Sequence, residues 1–291
     1  MEWLQAWLNI SKADVGVVEE TLQSCGAMSV SIQDAAREIL LEPAPGEHPV
    51  WDAVKVIALF PADSDVGHIA KVVRRVLPDT DPDIHFEPLE DRDWSNTWRD
   101  SFQSMCFGDH LWVCPVGESP SDPGALVVSM DPGLAFGTGT HTTTALCLEW
   151  LDANPPLGKR VIDYGCGSGI LAIAAHKLGA ASVQAVDIDP QALTAARANA
   201  VRNGITRNFN VMLPQALPAA QVGLVLANIL ANPLIELADE LSRRVCYGGH
   251  IILTGILEEQ AGEVMTAYQS RFEFTEPVRR DGWVRLEGAR R

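Results

Sequence analysis

Short runs of alternating apolar and polar side chains open the chain, and the period of those runs then changes along its length. Trp3 to Ile10 repeat with a period of two, the mark of a strand with one buried face. Lys12 to Cys25 switch to helical spacing at Val15, Val18 and Leu22, with Ser11 as the expected N-cap and Gly26 as the stop. Ala27 to Gln33 read as a strand, and Pro43, Pro45, Gly46 and Pro49 mark a loop. Asp52 to Phe60 alternate through Val54, Val56, Ala58 and Phe60. Ser64 to Leu77 predict a helix closed by Pro78, and Ile84 to Leu89 a last short strand. The order βαββαβ predicts a ferredoxin-like α+β domain over residues 1–90. Such a fold specifies no function by itself.

A charged, aromatic segment follows, Asp91 to Met105, in which Trp94 and Trp98 stand four apart on one helical face. It predicts a linker helix over residues 91–106, docked by its two tryptophans. From 107 to 291 strand and helix patterns alternate. Strands are expected at Leu111–Cys114, Leu126–Met130, Arg160–Tyr164, Ser182–Asp187, Phe209–Leu213, Gly223–Ala227 and His250–Thr254. Helices are expected at Thr142–Leu151, Ile170–Leu178, Pro190–Asn203, Pro233–Val245 and Glu258–Ser270. Phe272–Glu276 and Trp283–Glu287 close the sheet antiparallel. This alternation predicts an α/β domain, a doubly wound and mostly parallel sheet with helices on both faces.

The strongest chemical signal is Val161 to Leu171, where an apolar strand runs through Asp163 into Gly165, Gly167 and Gly169 and then into a helix. Glycines at alternate positions let the backbone turn sharply and approach a ligand without Cβ obstruction. The pattern is D-x-G-x-G-x-G, whereas the dinucleotide fingerprint is G-x-G-x-x-G with a pyrophosphate at the helix start. Here a carboxylate precedes the glycines, which disfavours phosphate and favours a cationic group. The next strand ends in Asp187, placed to accept hydrogen bonds from two ribose hydroxyls, while Asp189 and Pro190 read as the cap and first residue of the helix that follows. An adenosine-bearing ligand with a positive charge and no phosphate is S-adenosyl-L-methionine.

Asn228, in Asn228-Ile229-Leu230-Ala231, ends another strand at the crevice edge. Its amide can accept from an amine and so orient a nitrogen nucleophile; an Asx turn or helix cap before Pro233 is the alternative. The run Met130 to Thr144 joins Phe136, Gly137, Gly139, His141 and a series of threonines in a polar, glycine-bearing loop, which reads as a functional lid. His141 is a candidate general base, but no carboxylate is paired with it in sequence, and a polar contact at the helix start is the preferred reading.

Composition narrows the partners. The chain has 291 residues, enough for about two domains and a sizeable core. Its 22 Lys and Arg against 38 Asp and Glu leave a net charge of −16. That excludes a broad electrostatic footprint on bare nucleic acid. Residues 1–90 hold 6 basic and 16 acidic side chains, net −10, and residues 91–291 hold 16 and 22, net −6. The excess thus concentrates in the first third. Six scattered cysteines without a C-x-x-C pair, and seven dispersed histidines, predict reduced thiols, a cytoplasmic setting and no metal. The start lacks a basic n-region, and no apolar run approaches the ~18 residues of a membrane span, so no secretory signal and no membrane partner are expected. The acidic surface and few aromatics fit a monomer.

These residues resemble one family. Asp-Pro-Gly-Leu-Ala-Phe-Gly-Thr-Gly-Thr-His at 131–141, Asp-Tyr-Gly-Cys-Gly-Ser-Gly-Ile-Leu-Ala-Ile-Ala-Ala at 163–175, Asp-Ile-Asp-Pro at 187–190 and Asn-Ile-Leu-Ala at 228–231 are similar, in order, to the ribosomal protein methyltransferases of the PrmA type. The βαββαβ segment and the W-x-x-x-W linker extend the resemblance over nearly the whole chain. The glycine strand alone indicates a class I methyltransferase; the 131–141 run is more specific. The resemblance implies S-adenosylmethionine as cofactor and methylation, up to trimethylation, of lysine ε-amino groups and the N-terminal amine of the eleventh large-subunit ribosomal protein. It implies that 1–90 recognises the substrate and 107–291 is catalytic. By motif position it implies that Thr144, Gly165, Asp187 and Asn228 contact the cofactor, with Phe136 and His141 close to it and Gly167 in the same turn. Thr142 departs from the proline usual in the family.

Methyl transfer to an amine mainly requires alignment of donor and acceptor and an uncharged amine. A free lysine, with a pKa near ~10.4, is almost wholly protonated at neutral pH, so a dehydrating pocket and Asn228 are expected to do the work in place of a strong base. The acidic first domain would steer a basic ribosomal protein, which predicts association that slows as salt is added. Competing expectations are a methyltransferase acting on a small molecule or another protein, and a nicotinamide-dependent oxidoreductase, which also uses a doubly wound sheet.

Overall fold

The computed structural model describes residues 3–35, 51–78, 80, 82–89, 103–120, 122, 124–130 and 141–291. The linker tryptophans Trp94 and Trp98 and the segment 131–140, with Phe136, lie outside these residues. The chain divides into two compact units, Met1–Asp93 and Trp94–Arg291.

In the first unit the elements are β1 (Trp3–Ser11), α1 (Val15–Ser24), β2 (Ser29–Asp34), β3 (Ala53–Pro61), α2 (Val66–Val76) and β4 (His85–Leu89). The sheet order is β2-β3-β1-β4, and each neighbouring pair is antiparallel. Period-two alternation puts Ala6, Leu8, Val54, Val56, Ala58 and Phe60 on one face, where Val18 and Leu22 of α1 and Ile69 and Val73 of α2 cover them. Ser11 was expected to cap the first helix. Its hydroxyl instead donates to Asp14 Oδ2 at 2.7 Å, and a 3-10 turn over Lys12–Asp14 precedes α1. The N-cap of α2 is Asp65, whose side chain accepts from the His68 N–H at 3.0 Å.

The second unit begins with a small sheet of β5 (Met105–Phe107), β6 (Leu111–Pro115) and β7 (Leu126–Met130). Met105 and Cys106, assigned by the sequence pattern to a linker helix, pair instead with Val113 and Trp112 as one arm of a hairpin. Three residues are too few for a period to show.

Then come α3 (Thr142–Ala153), β8 (Arg160–Tyr164), α4 (Ile170–Lys177), β9 (Ser182–Val186), α5 (Pro190–Arg202), β10 (Phe209–Met212), β11 (Val222–Asn228), α6 (Ala231–Glu236), α7 (Ala238–Arg244), β12 (Val245–Leu257), α8 (Ala261–Tyr268), β13 (Phe272–Phe274), β14 (Val278–Arg280) and β15 (Trp283–Arg290). They form a sheet in the order β10-β9-β8-β11-β12-β15-β13, with β14 hydrogen-bonded to β15. β10, β9, β8, β11 and β12 are mutually parallel, and β15 is antiparallel to β12 and β13. Consecutive residues of the central strands enter two different cores. Leu224 and Leu226 pack with α3, α4 and α5, whereas Val225 and Ala227 pack with α6, α7 and α8. That is why β11 is apolar almost throughout.

The helix expected over Pro233–Val245 is two helices, with the bend at Leu237 (φ −86°, ψ 3°). Apolar spacing runs on across it through Leu234, Ala238 and Leu241, so no pattern marks the break. β14 was not expected. It is joined to β15 by Asp281 and Gly282 alone, at φ 51° and 78°, the conformation that a two-residue hairpin of type I′ requires and that Asp-Gly favours. Among the described residues no helix is long and apolar enough to cross a membrane.

Candidate active site

Parallel strands aim their carboxyl ends at one edge of the sheet, and the turns that follow β8, β9 and β11 meet there. After β8 the chain turns through Gly165, Gly167 and Gly169 at φ 77°, 51° and 81°, a left-handed conformation at each. The N–H groups of Gly165 and Cys166 both donate to the Val186 carbonyl, at 2.7 and 3.0 Å, which ties the turn to β9. A Cβ on Gly165 would overlap Ile229 Cγ2 across the crevice, and one on Gly169 would come within 3.0 Å of Ala196 Cβ. Gly165 therefore keeps the ligand face open, while Gly169 permits the close approach of α4 and α5.

The two carboxylates of this end play different parts. Asp187, just past β9, is half-buried; its Oδ2 accepts from the Gly167 N–H at 2.8 Å and its Oδ1 from the Asp189 N–H at 3.0 Å. It braces the glycine turn and keeps one acceptor direction on each oxygen for a sugar hydroxyl. The following Ile188 is 78% exposed, an apolar plate beside that carboxylate which the sequence reading passed over. Asp189 caps α5 through the Gln191 N–H at 2.8 Å, with Pro190 in the first turn, as the sequence predicts.

Asp163 is only 1% exposed and lines the crevice. Its Oδ2 accepts from the Ala172 N–H at 2.9 Å, but its Oδ1 is buried without a partner. Burial pushes this carboxyl up to about 7; the Ala172 bond opposes the shift, and the charge of Asp187 adds to it. An unpartnered buried oxygen of this kind is costly unless a ligand donates to it.

The crevice encloses about 310 Å³. Across from the glycine turn its wall is formed by His141, Thr144, Asn228, Ile229, Gly255 and Trp283. Asn228 Nδ2 donates to Thr144 Oγ1 at 3.3 Å, which turns the amide toward the helix start and leaves its oxygen for a ligand. His141 is the N-cap of α3. Its Nδ1 accepts from the Thr143 N–H at 3.3 Å and lies 2.8 Å from Thr143 Oγ1. A nitrogen that accepts from the backbone is not free to take a proton from substrate, so the geometry favours the polar contact at the helix start over the general base. Cys166 also lines the crevice, but burial raises its thiol and removes it as a nucleophile.

Thr144, Gly165, Gly167, Asn228 and His141 are thus brought to one cavity, with Asp187 bonded to its floor. Phe136 lies outside the described residues. Trp283 and Gly255 were missed. Gly255 interrupts the apolar run of β12 at φ 85°, where a Cβ would overlap the Ile229 carbonyl, and the β12–β15 register shifts at that point. The Asp281-Gly282 pair ahead of Trp283 was the available signal for its position.

This donor set fits S-adenosylmethionine. An orphaned carboxylate oxygen suits a cationic ligand, Asp187 suits a ribose, and Ile188 suits an adenine face. The buried carboxylate of Asp163 lines the cavity beside the glycine turn, which disfavours a dinucleotide pyrophosphate there. The described residues include no group of three His, Cys, Asp or Glu able to hold a metal ion.

Comparison with known proteins agrees with this geometry. The family model described as "Ribosomal protein L11 methyltransferase (PrmA)" matches residues 2–291. Ribosomal protein L11 methyltransferase of Azotobacter vinelandii is 47% identical over 292 residues, covering 100% of both chains. That of Methylococcus capsulatus is 49% identical over 291 residues, covering 99% of both. The crystal structure of a ribosomal protein L11 methylase from Lactobacillus delbrueckii subsp. bulgaricus superposes with a TM-score of 0.60 at 34% identity, over 65% of this chain and 100% of that one. With a match along essentially its full length and a glycine turn, carboxylates and amide gathered at one sheet edge, the chain belongs to the ribosomal protein L11 methyltransferase (PrmA) family.

Proposed function

We propose that this chain transfers methyl groups from S-adenosylmethionine to amino groups of ribosomal protein L11, lysine side chains and the N-terminal amine among them. The observation that carries the chemistry is the pairing, in one cavity, of an orphaned acidic oxygen on Asp163 with the amide of Asn228. The substrate follows from the family. When bound, S-adenosylmethionine supplies a methyl group on an already activated sulfonium. Asp163 Oδ1 would accept from the ligand's ammonium, the Asp187 carboxylate would accept from ribose hydroxyls, and Gly165 keeps the turn clear of Ile229 across the crevice. Asn228, whose oxygen is left for a ligand, would accept from the substrate nitrogen and so orient its lone pair toward the donor. The mostly apolar wall around it disfavours the charged ammonium, so the amine sheds its proton to water before it reacts.

The first unit, read as a ferredoxin-like substrate-recognition module, carries most of the negative charge and suits a basic ribosomal protein. The reading includes a monomer acting in the cytoplasm on protein and not on nucleic acid. Incubation of purified L11 with the enzyme and methyl donor is expected to add mass in steps of one methyl group. Replacing Asn228 by Ala should lower turnover by about tenfold or more, the range of a lost positioning contact, while cofactor affinity measured by calorimetry changes much less. Unchanged turnover would remove Asn228 from the reaction.

A further inference from the structure

Trp283 forms a wall of the crevice that the cofactor contacts leave unused. It opens β15, which runs antiparallel to β12 and so brings its first residue to the carboxyl edge, opposite Leu257. In the sheet order β8-β11-β12-β15 it stands three strands from β8, roughly 14 Å away at about 4.8 Å per strand. Asp187 lies on the other side of β8. The adenosyl end and Trp283 therefore occupy opposite ends of the edge, with Asn228 between them.

The position of the indole is set by many contacts. Thr142 Oγ1 donates to Asp281 Oδ2 at 3.0 Å. Arg280 donates through both terminal nitrogens to the Glu149 carboxylate, at 2.8 and 2.7 Å. Trp150 Nε1 donates to Glu287 Oε2 at 2.8 Å, and Arg285 Nη1 to the Leu146 carbonyl at 3.1 Å. These bonds fasten the β14–β15 hairpin along α3. Trp283 then meets His141 edge to face, with centroids 5.0 Å apart and planes at 72°. The indole is half-buried and borders the cavity.

We infer that Trp283 is the docking wall for the acceptor nitrogen and holds its methylated, cationic forms by cation–π contact, thereby setting how many methyl groups each amine receives. The inference rests on the methyltransferase reading above. In each round the neutral amine forms an N–C bond with its lone pair, and the C–S bond breaks with its electrons passing to sulfur. The nitrogen gains a positive charge. It releases a proton to water before the next round, and after the third it has none left to release. Each methyl group also replaces an N–H. A neutral dimethylamine has no hydrogen to donate to Asn228, so the amide loses its hold on the acceptor as methylation proceeds. An aromatic face works in the other direction, because positive charge builds on the nitrogen as the N–C bond forms, and the more methylated that nitrogen is, the better the developing ammonium sits on such a face.

Trp283→Leu tests this. In the variant, mono- and dimethyl products should accumulate, with the third transfer slowed about fivefold or more relative to the first, the size of a lost cation–π contact. Trp283→Phe should restore most of the trimethyl product, and calorimetric affinity for S-adenosylmethionine should stay close to that of the native chain in both. A second readout needs no turnover. With S-adenosylhomocysteine present, choline should shift the Trp283 indole N–H resonance, identified by its absence in Trp283→Phe. The uncharged isostere 3,3-dimethylbutan-1-ol should need about fivefold more for the same shift. Equal product ratios in Trp283→Leu, loss of cofactor binding in both variants, or equal shifts by choline and the alcohol would each overturn the inference. None of these touches the methyltransferase reading, which fails only if the native chain does not bind the donor or methylate L11. If Trp283→Leu does not fold, the choline comparison on the native chain decides the matter.

Discussion

At the β8–β9 end of the crevice the groups that face a ligand all come from residues 163–188, two successive strands and the turns that leave them. At the β15 end the wall is assembled from the start of α3, the end of β11 and the turn before β15, joined by bonds such as Thr142 to Asp281, 139 positions apart. The first end offers backbone shape and carboxylates, and its geometry is local. The second offers an amide and an indole whose positions depend on distant packing. The division of labour follows from this. In the proposed reading the local end suits the adenosyl part of the donor, which is the same before and after transfer, and the assembled end suits an acceptor that changes charge and shape with every methyl group.

The largest effect expected from breaking the comparison is at the local end. Gly165→Ala must accommodate a Cβ at φ 77° that overlaps Ile229; the turn relaxes away from this geometry in the free chain, and restoring it on binding at a cost of about 2 kcal/mol corresponds to roughly thirtyfold weaker cofactor binding. Calorimetry with S-adenosylmethionine checks it, and an undiminished affinity would show that the turn is not the cofactor's seat.

Next in size is a pH effect at Asp163. Its folded-state carboxyl is raised from 3.8 to about 7, so below that pH it is protonated and attracts a cation poorly. Affinity for S-adenosylmethionine should rise about tenfold between pH 6 and pH 8, and binding at pH 6 should release a proton, visible in buffers of different ionisation enthalpy. Because the folded value is the higher one, this group's contribution to stability of the ligand-free chain is full below about pH 4 and is lost as pH rises through about 7. In Asp163→Asn both dependences should flatten. A pH-independent affinity in the native chain would place the cation elsewhere.

The smallest effect belongs to the fastening of the assembled end. Thr142→Val removes one hydrogen bond, worth about 1 kcal/mol or less, and should lower the melting temperature by about 1–3 °C. Donor affinity should stay unchanged while KM for L11 rises. If donor affinity falls instead, the two ends are not separable.

Much of this was written in the chain. The alternation of β3, the glycines after Asp163, the Asp189-Pro190 helix start and the order of strands and helices depend on neighbours in sequence, and local sterics and period suffice to specify them. So Gly165, Gly167, Asp187, Asn228 and His141 stand out as candidates from the residues themselves, whereas Thr144 enters through the family resemblance. The sequence favoured a helix-start contact for His141 but could not give its partner, because the bond from Thr143 depends on backbone geometry at the start of α3. It left Asp163 as an acidic residue without revealing that one oxygen is orphaned, since burial is a property of everything packed around it. Trp283 was read as the first residue of an edge strand. Only the antiparallel return of β15, its two-residue turn and its bonds to α3 carry that indole to the crevice. Patterns along a chain report which face of an element is buried; which faces meet is decided by long-range packing, and that is where the second half of this site comes from.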